Sequence, residues 1–155
     1  MLEMFSAPFR SAKNALLGHP PRISAVPEGV KTHPIAPRPS NPVFARPALS
    51  SGYVESGRGP LAYENGEHYL VEYAPGDVAP VQCEIFERTY RKRSDGLYQK
   101  REDLTLCYFT LPYDVVVETP EGDQLAEAGD WIVEGAAGEL YPMPAEKGAR
   151  KYRLR

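Results

Sequence analysis

The 155 residues match the usual size of one domain, or a domain with a tail, and argue against two packed domains. Sixteen Pro, twice the average usage of about 5%, disfavour a long-helix bundle, and no window approaches the ~18 apolar residues of a membrane span. A net charge of -3 gives no whole-chain attraction to nucleic acid or anionic lipid. Only two cysteines, Cys83 and Cys107, and no secretory signal exclude a disulfide framework and imply a reducing, cytoplasmic setting.

In Met1 to Leu17 the apolar residues Leu2, Phe5, Phe9, Ala12, Leu16 and Leu17 recur at spacings of three and four, which predicts a short amphipathic helix ended by Gly18 and Pro20. Its apolar face fits docking on the domain or on a partner. An interfacial anchor or organelle presequence is the alternative, opposed by Glu3 and by only two basic residues. Residues 18 to 50 read as a Pro-rich, extended and solvated arm. Nine of the 16 Pro lie in the first fifty residues, which carry 6 Lys and Arg against 2 Asp and Glu, while 13 of the 16 aromatics follow residue 50. Repeated Pro removes amide donors and fixes φ, so PPII-like chain is expected there, reaching a protein partner or a second subunit.

Residues 51 to 155 predict a mainly β (α+β) domain containing an internal repeat, about 66–91 and 129–153. Set at an offset of 62, Val71–Arg91 and Val133–Arg153 share nine identities in 21 positions, among them Gly76/Gly138, Pro80/Pro142, Arg88/Arg150 and Tyr90/Tyr152. Each copy reads as strand, Gly-containing turn, strand and short helix, with Gly148 weakening the helix of the second. A repeat of this size needs neighbours to bury its face, so the copies are expected to pack together or share a sheet. Between them, Asp95-Gly96 marks a hairpin. Leu104–Thr110 is apolar on both faces and predicts a central strand, and Pro120-Glu-Gly-Asp supplies a further reversal. About seven short strands with tight turns imply a small sandwich or partly open barrel.

The second copy, with Ala128-Gly129-Asp130-Trp131, the Gly138-Glu139 turn and Tyr141-Pro142, resembles the small PGDYG-motif domain of bacterial and bacteriophage proteins. The leading Pro of that motif is absent, and the acidic, Phe-containing segment ending in Tyr is better kept in the first copy, Glu84–Tyr90. The resemblance covers residues 60 to 155 and implies a bacterial or phage origin, with no assigned reaction and no catalytic residues to carry over.

The residues that chemistry would use are few. Of the three histidines, His19 and His33 fall in the arm, where nothing would fix their geometry, and His68 beside Glu67 is the one ordered candidate for a general base. Cys83 and Cys107 lack CxxC or CxH context and read as buried side chains. Phosphate-binding and common hydrolase motifs are absent, and no catalytic residue, metal or cofactor is expected. Three readings remain. The first is a non-enzymatic binding or accessory domain acting through protein or small-molecule contacts, whose residues 1–50 reach a protein partner or a second copy. The second is a nucleic-acid surface on the basic hairpin carrying Arg88, Tyr90, Arg91, Lys92, Arg93, Tyr98, Lys100 and Arg101, in which cations neutralise phosphates and Tyr rings stack on bases. The third is an enzyme with a ligand cleft between the repeats lined by Glu72, Asp77, Trp131, Glu134 and Glu139, paired carboxylates being the minimal acid–base set.

Overall fold

The computed structural model describes residues 19–56 and 59–155. The helix expected over 1–17 lies outside the described residues. The chain is mainly β, with fifteen strands and two short helices among the described residues and no closed barrel. It divides into two compact units, residues 39–104 and a second unit in which residues 19–38 join 105–155. The division differs from the single β domain over 51–155 expected from composition.

The 39–104 unit contains β3 (Phe44–Pro47), β4 (Gly52–Ser56), β5 (Gly59–Tyr63), β6 (His68–Ala74), β7 (Asp77–Gln82), α1 (Cys83–Thr89), β8 (Tyr90–Lys92) and β9 (Tyr98–Lys100). Its sheets are β3-β6-β7 and the hairpins β4-β5 and β8-β9. The β8-β9 reversal falls at Asp95-Gly96, where the Leu97 amide donates to the Asp95 carboxylate at 3.0 Å. The core gathers Val43, Val71 and Phe86, with Tyr69, Tyr90 and Tyr98 packed against them.

The other unit contains β1 (Arg22–Ile23), β2 (His33–Pro37), β10 (Leu106–Phe109), β11 (Val115–Thr119), β12 (Gly122–Ala126), β13 (Trp131–Glu134), β14 (Leu140–Met143), α2 (Ala145–Lys151) and β15 (Tyr152–Leu154). Five strands form one sheet in the order β14-β13-β10-β2-β15, and β1-β11-β12 form a second. Phe109, Val115, Val117, Ile132 and Leu140 are buried together, and Ile35, Val133, Met143 and Tyr152 form a neighbouring cluster. As the apolar pattern of 104–110 predicts, β10 is an interior strand.

The solvated arm is corrected. β2 is an interior strand, flanked by β10 and β15, and its Ile35 and Ala36 have no solvent exposure. Proline is ordinarily confined to sheet edges because it cannot donate to a ladder. Here both prolines stand where ladder partners run out. The Arg155 amide, one residue past β15, donates to the Pro34 carbonyl at 3.0 Å, so Pro34 turns its one backbone polar group to the β15 side, beyond the last residue of that strand. The alternation of an antiparallel ladder turns Pro37 the other way, toward β10, and the register places it beyond Leu106, where β10 begins. Neither ring removes a donor that an existing strand residue needs. Burial of Ile35 and Ala36 then decides the conformation, since the sequence signal for PPII is weak beside apolar area removed from water.

Candidate functional site

The residues of the basic hairpin fall into two groups. The Tyr90 and Tyr98 rings turn inward: Tyr90 stacks on Phe86 with centroids 4.9 Å apart, and Tyr98 meets Phe86 edge-on at 4.9 Å. Burial pushes the Tyr90 hydroxyl above its ordinary range, opposed by a hydrogen bond with Tyr73. The cations face outward. Arg88 pairs with Glu84 at 2.9 Å, Arg93 with Asp95 at 3.0 Å and Arg101 with Asp103 at 3.3 Å. Arg91 and Lys92 are exposed and Lys100 is half-buried. The hairpin thus keeps Arg88, Arg91, Lys92 and Arg93 exposed and commits both rings to the core, so the stacking platform of a single-strand binder is not assembled from these tyrosines.

The carboxylate set is shared between the units. Glu72 and Asp77 belong to the 39–104 unit, and Trp131, Glu134 and Glu139 belong to the other. Within each unit these carboxylates serve turns and neighbours. Glu72 accepts the Gly76 amide at 3.3 Å, closing the β6-β7 turn, and Asp77 is exposed. Glu139 accepts the Ala137 amide at 2.8 Å and the Tyr141 hydroxyl at 3.1 Å. Glu134 accepts the Cys107 thiol at 3.3 Å. Burial and the Glu134 carboxylate push that thiol up to about 11. A thiol so raised is protonated near neutral pH and is a poor nucleophile. The Trp131 ring lies face to face with Tyr108, centroids 3.7 Å apart. Among the described residues no three His, Cys, Asp or Glu side chains gather as a metal site.

The histidines are placed differently than expected. His33 is held on β2, its ring tilted against Tyr108 at 4.9 Å, which corrects the reading that nothing fixes its geometry. His68 accepts the Glu64 amide on Nδ1 at 3.0 Å, so one ring nitrogen is engaged in ordering the turn before β6. In the Gly129-Asp130 turn, the Asp130 carboxylate accepts the Glu127 amide at 2.9 Å, and the Gly129 amide donates to the Leu111 carbonyl at 3.0 Å. That acid has a structural duty: it closes the turn into β13.

One surface feature escaped the sequence reading because it lies partly inside the proline-rich third. Phe44, on the edge strand β3, is 56% exposed, and its register partner is Glu72, next to Tyr73, itself 47% exposed at an irregularity in β6. Beyond a single bridge between Val43 and Tyr98, no strand pairs the outer side of β3 among the described residues. The only signal in the sequence is Phe44 itself, an aromatic among prolines that a solvated tail has no need to carry.

Compared with protein-family models, curated proteins and solved structures, the chain matches none.

Proposed function

We propose that this chain is a binding or accessory protein rather than an enzyme, built from a duplicated β-rich unit and recognising a protein partner through an extended segment laid along β3. The observation that carries it is the exposed Phe44 on an edge strand, with Tyr73 beside its register partner. A strand edge supplies main-chain hydrogen bonds to an added strand, and an exposed aromatic supplies the anchor that gives such a contact its energy. The carboxylates, by contrast, are taken up by local turns and by Cys107, which favours this reading over a cleft enzyme.

The duplication is supported by element bounds. β7, α1 and β8 begin at 77, 83 and 90, and their counterparts β14, α2 and β15 at 140, 145 and 152, so the helices and final strands are each displaced by 62. The hairpins β4-β5 and β11-β12 run over 52–63 and 115–126, a displacement of 63. Gly76 and Gly138 both adopt positive φ, 80° and 86°, in the intervening turns. Both helices end on a Tyr whose amide bonds the carbonyl four residues back, at Phe86 and at Gly148. This reading places the repeat over most of the chain, beyond the 66–91 and 129–153 segments legible in the residues.

The likeness of the second copy to the PGDYG-motif domain belongs to the same reading and points to a bacterial or phage source and a cytoplasmic setting. Two free thiols, Cys83 and Cys107, fit a reducing compartment.

A photo-crosslinking residue at position 44 of the full chain, expressed in bacterial cells, tests the proposal, with the exposed Leu125 of β12 as control position. The expected result is an adduct of one defined mass with a second polypeptide from 44 and none from 125. Adducts equal at both positions, nucleic-acid adducts, or none at all would overturn it.

A further inference from the structure

Each unit is completed by a strand that the two-copy reading assigns to the other copy. In sequence, β2 precedes β3 and β9 precedes β10 at the same interval: Ile35 stands eight residues before Val43, and Tyr98 eight before Leu106. The pairing is crossed. Ile35 is in register with Leu106, and Tyr98 with Val43. On the other side, β2 pairs β15 with Tyr152 opposite Pro37, and β9 pairs β8 with Tyr90 opposite Lys100. The seats match in detail. The Arg38 amide after β2 donates to the Lys151 carbonyl at 3.0 Å, and the Arg101 amide after β9 donates to the Thr89 carbonyl at 2.9 Å. Arg38 and Arg101 are the same residue type 63 positions apart, each closing an exchanged strand onto the end of a helix of the other copy.

We propose that the two copies, residues 33–92 and 96–154, reciprocally exchange their first strands, and that β2 enters the same seat on a second copy of this chain to form a β2-exchanged dimer. The inference rests on the two-copy reading. The seat is built for this one occupant: Ile35 and Ala36 are fully buried between β10 and β15. The chain leaves β2 at Arg38 and enters the 39–104 unit at once, so the donor strand and its seat are joined only through the other unit. Its tether, Pro39-Ser40-Asn41-Pro42, is short and stiffened by two prolines. Exchange between chains carries β1 along with β2, so that β1 pairs the partner's β11; the contacts of the seat are then kept and the tether takes a new path, the low-cost route by which identical elements are traded between protomers.

The register supplies the test. Pro34 is opposite the native Cys107, and because Pro34 turns its carbonyl to the β15 side, the two form a non-hydrogen-bonded pair relative to β10, with the close Cα spacing that a disulfide accepts. The full chain carrying Pro34→Cys and Cys83→Ser is unfolded, refolded at low or high protein concentration, oxidised, and run on a denaturing gel without reductant. The expected result is a 17.2 kDa band after dilute refolding and a covalent band of twice that mass after concentrated refolding. Monomeric mass at every concentration overturns the proposal, as does a dimer in solution that separates into 17.2 kDa chains on the gel after oxidation. Light scattering of the unaltered chain after concentrated refolding covers a variant that does not fold, and a monomer there overturns it equally. The two-copy reading is judged separately, by hydrogen exchange: Tyr98→Asp should strip amide protection from 43–92 and spare 105–155. Partner binding through Phe44 enters neither measurement.

Discussion

Gly148 on α2 lies against the face of the Trp131 indole, where a Cβ would overlap the ring. The other face of that ring is occupied by Tyr108, so the indole is held between a helix and a neighbouring strand and has nowhere to retreat. In the proposed alignment of the copies, Phe86 stands where Gly148 does and Tyr69 where Trp131 does, and there the two rings stack at 4.1 Å. A large helix residue over a smaller strand aromatic is replaced by no side chain over a larger one. Gly148→Ala should therefore destabilise the fold, by up to about 2 kcal/mol: a helix-propensity gain of about 1 kcal/mol is set against overpacking of about 1–3 kcal/mol, at the upper end of that range where the ring cannot move. Urea unfolding followed by the fluorescence of Trp131, the sole tryptophan, checks it. A stabilised variant would show that the ring shifts freely.

The Cys107 thiol should titrate far above an ordinary cysteine. Burial is the main cause, and the hydrogen bond and charge of Glu134 add to it, giving about 11 against an ordinary value of 9.0. Because the folded value is raised, its stabilisation is complete below pH 9.0 and is lost as pH rises toward about 11. In a chain carrying Cys83→Ser, alkylation of Cys107 should accelerate with an inflection near that upper value. Adding Glu134→Gln removes the carboxylate contribution and leaves burial, so the inflection should move down without reaching the ordinary value. An unaltered inflection in that variant would remove Glu134 as a cause.

What the sequence made legible followed from local chemistry, and what it hid depended on long-range pairing. The Asp95-Gly96 reversal, the apolar β10 and the strand-turn-strand-helix order of 69–90 and 131–152 rest on turn residues and neighbours in the chain, and they are present at those places. β2 was hidden because its proline content argues against a strand, and the reason it is tolerated is a register with β10 and β15, more than sixty residues away. The helix around Gly148 was undervalued for a related reason: propensity counts the glycine as a weakness, while Trp131 across the fold requires it. Carboxylates at repeated positions looked like chemistry because their spacing was visible and their amide partners, such as Gly76 for Glu72 and Ala137 for Glu139, were not.

Tyr90 separates a core role from a nucleic-acid role. Its ring is stacked on Phe86, so Tyr90→Ser should cost about 2–3 kcal/mol of stability, somewhat below the cost of emptying a fully buried aromatic site. Arg91→Ser and Lys92→Ser, at exposed positions, should each change stability by no more than about 0.5 kcal/mol. Thermal unfolding measures both. In parallel, anisotropy of labelled single-stranded DNA and RNA at two salt concentrations should show no binding by the unaltered chain. Salt-sensitive binding lost on replacing Arg91, Lys92 and Arg93 by Ser, with Tyr90→Ser no less stable than the parent, would restore the nucleic-acid reading.

Ile35 provides the sharpest division between an arm and a strand. A solvated arm tolerates Ile35→Asp with a change within about 0.5 kcal/mol, as surface substitutions do. In the structure the side chain has no exposure and packs among Val133, Met143 and Tyr152, so the substitution buries an unpaired carboxylate in an apolar cluster. Such a group is expected to cost more than about 4 kcal/mol, an amount comparable to the whole stability of a small unit. The loss should be local. Amides of β10 and β15, which flank β2, should exchange fast, and Trp131 should lose its near-ultraviolet dichroism as the sheet opens. Amides of β6 and β7, in the other unit, should keep their protection. Equal loss in both units would mean that β2 supports the whole chain rather than the sheet it completes.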